Sequence, residues 1–492
     1  MTLGTDRSIA TASPPESSAA VDSAETAGAS RILTVASLVG LVAVMARVVL
    51  HAADPLSNGD TWFHLAIGER LLGSWSLGHP GQLSSFGDVP WVPTQWSTEV
   101  LAAGFERWFG LPGVAWLFGT LYLALVVGAY AVCRRLGVPL PAAVASGLAI
   151  LATTPALSAR PQIVTLLMLL VVISSWLRAE RAQRVPWLLV PLTWVWATAH
   201  GMWTVGVVVS AVFCVGLVLD RRVDRRLAVR MFAVPVLCVV AACLTPLGPR
   251  LLLSQLTVGR RASLIAEWGP TSFRAFPALV VAAMIGVVVV LWSLQGRVPW
   301  TRLLLLLLAA GWAILVARMV ACSAVLLAPL LAAALQQMLG LSEVGVATLV
   351  RLEARVVGLA TVLMLVGLAV AVPRTASEPA QVPAAFGSRL AALPSGAAVA
   401  VEDSTGAWLE WRYPGLDPFI DGMLDAYPVG YIERWQDFVR VAPGWQGFLR
   451  DSQAGVAVLV AGSPLSDAMQ HQLHWTAVQH TGTWVYLVAP AR

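Results

Sequence analysis

The segment ILTVASLVGLVAVMARVVLHAADPLSNGDTWFHL (residues 32–65) runs from a nearly unbroken apolar stretch into a short polar one, Asn58-Gly59-Asp60-Thr61-Trp62-Phe63-His64-Leu65. At 1.5 Å rise per residue, residues 32–50 as a helix reach across most of a ~30 Å hydrocarbon core. Similar runs recur at approximately 113–132, 139–157, 161–177, 186–199, 202–219, 229–246, 276–295, 300–317, 319–338 and 356–373. Lipid offers no partner for a free backbone N–H or C=O, so these runs are expected to be helices.

Composition agrees with that reading. Of 492 residues, 58% are hydrophobic and only 12% charged, with a mean hydropathy of +0.74; soluble domains carry about 25% charged residues. All 32 basic residues are Arg, in short clusters between apolar runs, and the net charge is only +5. Nucleic-acid binding needs a basic face on a folded domain, so no nucleic-acid partner is expected. The five cysteines (Cys133, Cys214, Cys238, Cys243, Cys322) all lie in or beside apolar runs without a CxxC spacing, which argues against disulfides and a thiolate metal site.

Charge sets the orientation. Arg134 and Arg135, then Arg178, Arg181 and Arg184, then the cluster around Arg221–Arg230, then Arg297 and Arg302, then Arg351 and Arg355 all fall on one side if the N-terminus is cytoplasmic. The expected protein is therefore an all-α polytopic membrane protein of about eleven transmembrane helices with a C-terminal extracytoplasmic α/β domain. Residues 1–31, rich in Ala, Ser and Thr, read as a disordered cytoplasmic tail, and 32–373 as the transmembrane domain, with a first extracytoplasmic loop at 51–112. Residues 374–492 open with a Pro/Ala linker and mix strand-like runs (397–401, 456–461, 484–488) with amphipathic helical ones (431–438, 464–473). The setting is read as the bacterial plasma membrane, with membrane lipids as neighbours.

Ionisable groups beside spans are costly and point to function. On this topology the isolated ones gather on the outer face: Asp60, His64 and Glu99 in the first loop, Arg160 and Gln162 between spans three and four, His200 between five and six, Glu267 after span seven, and Arg318 between nine and ten. Each has a structural alternative. Arg160 suits an interfacial snorkel, His200 a satisfied buried histidine, and Glu267 a helix cap or a partner of Arg260 or Arg261. Asp60 suits the N-cap of a helix over 61–72. Arg318 is harder to dismiss, because its nearest acidic residues in sequence are distant. Of the 21 tryptophans, most fit interfacial belts; Trp62 and Trp268 stand out by their neighbours.

The blocks DTWFHLAIG (60–68), GHP (78–80) and PWVPTQWSTE (90–99) resemble the first loop of the C-fold (GT-C) glycosyltransferase superfamily, whose members use polyprenyl-phosphate sugars. RPQ (160–162), ATAHG (197–201), EWGP (267–270) and IDG (420–422) extend the likeness, in the same order, to a bacterial group within that superfamily. The resemblance implies an enzyme that transfers a hexosyl or pentosyl unit, with inversion, from a polyprenyl-phosphate sugar to an extracytoplasmic glycan, lipid or protein acceptor. It implies Asp60 as the catalytic base and Arg160, Arg318 and His200 at the leaving phosphate. Trp62, His64, Glu99, Gln162, Glu267 and Trp268 are implied to contact substrate. Many sugar transferases of this fold carry an acidic pair where this chain has Asp60-Thr61, so a divalent metal is possible but not supported, and no other cofactor is expected. The rival is a catalytically inactive C-fold scaffold or a transporter for lipid-linked glycans. A transporter would be expected to show paired Gly/Pro-interrupted segments and midplane polar groups, and neither is evident.

Overall fold

The computed structural model describes residues 16–78, 86, 91–261, 264–294, 296–340 and 346–491. Thirteen helices come first in chain order: α1 Glu16–Ala52, α2 Gly59–Gly73, α3 Trp96–Cys133, α4 Pro139–Ala152, α5 Gln162–Ala182, α6 Leu189–Ala199, α7 Thr204–Leu219, α8 Arg225–Cys243, α9 Arg250–Arg261, α10 Phe276–Ser293, α11 Trp300–Leu315, α12 Val320–Leu339 and α13 Val346–Thr375. Each of the expected apolar runs is helical. Eight helical segments among the described residues are long and apolar enough to cross a membrane, and α4, α6 and α11 are shorter apolar helices. The chain is a multi-pass membrane protein. Helix α12 sits deepest in the bundle, whereas α13 presents nearly all of its surface outward.

Local sequence sets several of these boundaries. Residues 1–15 lie outside the described residues, and α1 starts at Glu16, inside the stretch read as a tail; its Ala- and Glu-containing sequence has good helix propensity. Asp224 caps α8 by accepting from the Leu227 N–H at 2.7 Å. Helix α3 is broken at Gly110 (φ 66°) just ahead of Pro112, so a first segment from Trp96 turns there into the long apolar run. At Gly68, helix α2 lies directly against the backbone of that first segment: a β-carbon there would fall 2.1 Å from the Glu99 carbonyl oxygen. At the other end of the bundle, Arg134 pairs with Glu353 at 2.7 Å, and Glu180 takes both Arg222 and Arg302.

The C-terminal part holds α14 Gly387–Ala391, α15 Asp403–Arg412, α16 Val429–Val439, α17 Trp445–Ser452 and α18 Pro464–Leu473 around one sheet. Its strands β1 Ala398–Val401, β2 Asp417–Pro418, β3 Val456–Val460, β4 Thr476–His480 and β5 Trp484–Val488 run in the order β2-β1-β3-β5-β4. β1 is parallel to β2 and β3, with Val399 opposite Val456, while β5 is antiparallel to β3 and β4. Alternating Val, Ala and Leu fill both faces of the central strands β1, β3 and β5, which are buried almost throughout. This unit rests on α2: the Trp62 and Trp411 rings lie 5.1 Å apart, and Arg70 pairs with Glu410 at 2.5 Å.

Candidate active site

The site is built from the start of α2. Asn58, in extended conformation, accepts the backbone N–H of Asp60 at 3.0 Å and so caps the helix itself. The expected capping role of Asp60 thus belongs to Asn58, two residues earlier, and the Asp60 carboxylate points elsewhere. Its Oδ2 accepts from Arg160 Nη1 at 2.8 Å, and its side chain remains 41% exposed while that of Arg160 is 8% exposed.

Arg160 sits in the turn before α5, where its Nε donates to Ser158 Oγ at 2.8 Å. The same Nη1 reaches Glu267 Oε1 at 3.2 Å, and Glu267 Oε2 accepts from Arg318 Nη1 at 2.9 Å. Glu267 lies on a single helical turn at Ala266–Trp268, and Arg318 on another at Ala317–Met319. The Ala317 N–H donates to the Gly269 carbonyl at 2.9 Å, which ties the two turns together. The Arg318 guanidinium also lies 5.9 Å from the Trp268 ring centroid. Asp60, Arg160, Glu267 and Arg318 therefore form one chain of alternating charge drawn from four separate segments. Glu267 pairs with Arg160 and Arg318; the side chains of Arg260 and Arg261, its partners in the alternative reading, lie outside the described residues.

Electrostatics follow from burial and these pairs. Burial opposes the charge of Arg160, but Asp60 and Glu267 more than offset it and raise its pKa. Burial also opposes ionisation of Glu267, yet Arg318 and Arg160 hold its carboxyl below the usual range. Burial, with Arg160, His200 and Arg318 adding, holds His64 well below the ordinary histidine value; burial, Arg318 and Arg160 do the same to His200.

The histidines occupy the floor of the site. His64 Nδ1 and Glu99 Oε1 share a hydrogen bond of 2.8 Å, and a small cleft beside them is lined by Thr61, Leu65, Thr98, Phe118 and Pro161. His64 thus turns to Glu99 although it lies one helical turn from Asp60. His200 is held from α5: Trp196 Nε1 donates to Thr165 Oγ1 at 3.0 Å, and the Thr165 hydroxyl shares a hydrogen bond of 2.7 Å with His200 Nδ1. Four buried polar atoms around this floor have no hydrogen-bond partner among the described residues: Thr61 Oγ1, Glu99 Oε2, Gln162 Oε1 and Arg318 Nε.

Trp62 stands apart. It is 1% exposed and packed on Trp411, inside the contact between α2 and the C-terminal part, so it is placed as core and not as a substrate platform. Sequence reading also missed Asn58, Thr165, Arg70 and Glu410; only Asn58, a capping residue next to a helix start, carried a local signal. His79 and Pro80 of the GHP block lie outside the described residues.

A divalent cation asks for several converging carboxylate or imidazole ligands. Here Asp60 and Glu267 converge on a guanidinium nitrogen, and no group of three His, Cys, Asp or Glu suited to a metal occurs among the described residues. The donor set does not fit a resident metal ion.

Solved structures share this fold. The archaeal oligosaccharyltransferase AglB from Archaeoglobus fulgidus, in complex with an inhibitory peptide and a dolichol-phosphate, superposes with a TM-score of 0.52 at 12% identity, over 92% of this chain and 74% of that one. The apo form of the Archaeoglobus fulgidus oligosaccharyltransferase gives 0.51 at 11% identity, over 90% and 70%. ArnT from Cupriavidus metallidurans in the apo state gives 0.50 at 17% identity, over 92% of this chain and 98% of that one. The protein has the GT-C fold. No protein-family model and no curated protein matches the sequence. Within the GT-C fold, Asp60 lies at the head of the surface helix α2, which follows the first span.

Proposed function

We propose that this GT-C protein is an inverting glycosyltransferase that moves a sugar from a polyprenyl-phosphate donor to an acceptor hydroxyl on the extracytoplasmic face of a bacterial plasma membrane. The observation that carries the reading is the Asp60 carboxylate, partly exposed, held through one oxygen by a buried Arg160 and linked through Glu267 to Arg318. In the step envisaged, the acceptor oxygen forms a bond to the anomeric carbon as the bond from that carbon to the phosphate oxygen breaks. Polyprenyl phosphate departs with the electron pair, and the acceptor proton passes to Asp60.

The leaving phosphate needs positive charge and fixed N–H donors. Arg160 uses Nε and Nη1 in the bonds described above, and the buried Arg318 Nε lacks a partner among the described residues, so each guanidinium has donor capacity for an incoming anion. His200, held neutral by burial and the two arginines, completes the polar floor beside them. Glu99 Oε2 and Gln162 Oε1, buried acceptors without partners, suit sugar hydroxyls, and Trp268 suits the sugar face. The dolichol-phosphate in the AglB complex supports a phosphorylated polyprenyl donor on this fold.

The test uses the full-length protein in nanodiscs, loaded with the radiolabelled polyprenyl-linked sugar pool of native membranes. Wild type is expected to move label from lipid to product. Asp60→Asn is expected to retain undecaprenyl phosphate binding and to lose transfer by about 10²- to 10⁴-fold. Equal transfer by a folded Asp60→Asn protein would overturn the assignment of Asp60, and binding without transfer in wild type would favour the scaffold reading.

A further inference from the structure

Arg160 engages Asp60 through Oδ2; the other oxygen, Oδ1, faces the C-terminal part. A β-carbon built on Gly422 would lie 3.9 Å from Asp60 Oδ1 and 3.9 Å from the Phe63 ring. Gly422 (φ +91°) closes the tight turn IDG, which begins with buried Ile420 and Asp421. The turn is held from below: Asp421 Oδ1 accepts the Met423 N–H at 2.8 Å, and Tyr431 donates its hydroxyl proton to the Phe419 carbonyl at 2.7 Å. Glu410, whose side chain meets Arg70 on α2, stands on α15, which packs directly on the turn: a β-carbon on Gly406 of that helix would fall 1.6 Å from the Ile420 carbonyl oxygen. One helix thus carries Asp60 at its start and, about three turns further on, an arginine that meets the domain opposite.

Resting on the glycosyltransferase reading above, we infer that the Asp421–Gly422 turn is the acceptor-side wall of the site, and that Arg70, Glu410 and Asp421 are the positioning residues that fix it beside the free oxygen of Asp60. An acceptor hydroxyl that gives its proton to Oδ1 has to pass between Asp60 and Gly422, so the turn selects acceptors by width. The absence of a side chain at 422 is then a requirement of access as well as of backbone geometry. Burial raises both the Glu410 and the Asp421 carboxyl, the charge of Asp421 adds to the rise at Glu410, and Arg70 opposes it at both. An amide at 410 keeps a polar group of the same size facing Arg70; a methyl group does not.

The experiment measures three quantities on the full-length protein in nanodiscs: undecaprenyl phosphate binding, label transfer as the native acceptor fraction is titrated, and carbodiimide labelling of Asp60 read by peptide mass spectrometry. Gly422→Leu is expected to reduce Asp60 labelling and to raise the acceptor concentration for half-maximal transfer about tenfold or more, with undecaprenyl phosphate binding within twofold of wild type. Glu410→Ala is expected to increase Asp60 labelling as the turn loosens, and Glu410→Gln to restore the wild-type value. Asp60 labelling that ignores Gly422→Leu overturns the wall. Loss of undecaprenyl phosphate binding in both Glu410 variants, to the same extent, overturns the positioning role in favour of simple destabilisation. If wild type transfers nothing, the glycosyltransferase reading fails, while the labelling comparison still decides where the turn stands.

Discussion

The Asn58 side chain accepts the backbone N–H of Asp60, 3.0 Å away, so two neighbouring residues divide between them what one could not do. Capping would consume a carboxylate oxygen of Asp60; delegated to Asn58, it leaves both oxygens for the site. Asn58→Ala is expected to cost about 1 kcal/mol of stability and to lower transfer by loosening the first turn of α2. Asn58→Asp should preserve both. Thermal unfolding in detergent alongside the transfer assay checks this, and an Asn58→Ala protein with wild-type values in both would refute the division of labour.

Arg160 meets two carboxylates through one nitrogen and Ser158 through another, a geometry that a planar fork satisfies and a single ammonium does not. Arg160→Lys is therefore expected to resemble Arg160→Ala, each weakening undecaprenyl phosphate binding and reducing transfer at least tenfold. Full rescue by Lys would show that charge alone matters there.

The two floor histidines predict the acid side of the stability profile. Their folded pKa values lie below the ordinary value of about 6.5, chiefly through burial. Below that pH the unfolded chain binds more protons than the folded one. The stabilisation is complete above about 6.5 and is lost as pH falls toward the folded values, by about 1.4 kcal/mol per pH unit for each ring. His64→Gln and His200→Gln should each flatten the fall in unfolding temperature between pH 7 and pH 5. A slope unchanged in both variants would mean that neither ring is held neutral.

Trp62 discriminates core from substrate platform. Because it is buried on Trp411, Trp62→Ala is expected to destabilise the protein by about 3–5 kcal/mol. Trp62→Phe should retain most of the stability and leave undecaprenyl phosphate binding unchanged. Weakened binding by a stably folded Trp62→Phe protein would return Trp62 to the site.

The helical bundle was legible because lipid imposes one solution on each long apolar run, and Arg clusters between runs order them. Isolated charges at the ends of those runs drew attention to Asp60, Arg160, Glu267 and Arg318, which the structure brings into one chain. Their pairing was not legible: Glu267 has nearer arginines in sequence than Arg160, and only packing of the turns brings the distant one close. Arg70 and Glu410 are residue types that usually face solvent, and nothing in their local sequence marks them as partners. In the C-terminal part, β4 escaped notice because it is half exposed, with Thr476 and His480 facing out, and it pairs on one side only. β2 is two residues long and exists only because β1 lies beside it.

The bare contact at Gly68 has a mechanical meaning. With the Glu99 carbonyl where a methyl group would otherwise be, α2 and the first segment of α3 meet backbone to side-chain-free backbone, and there is no soft layer for one to slide on the other. Asp60 and the His64–Glu99 pair then travel as one rigid plate. Any breathing that admits a bulky glycan has to come from the opposing side, where the C-terminal part is joined by a linker and held on α2 by Arg70 and the Trp62–Trp411 stack.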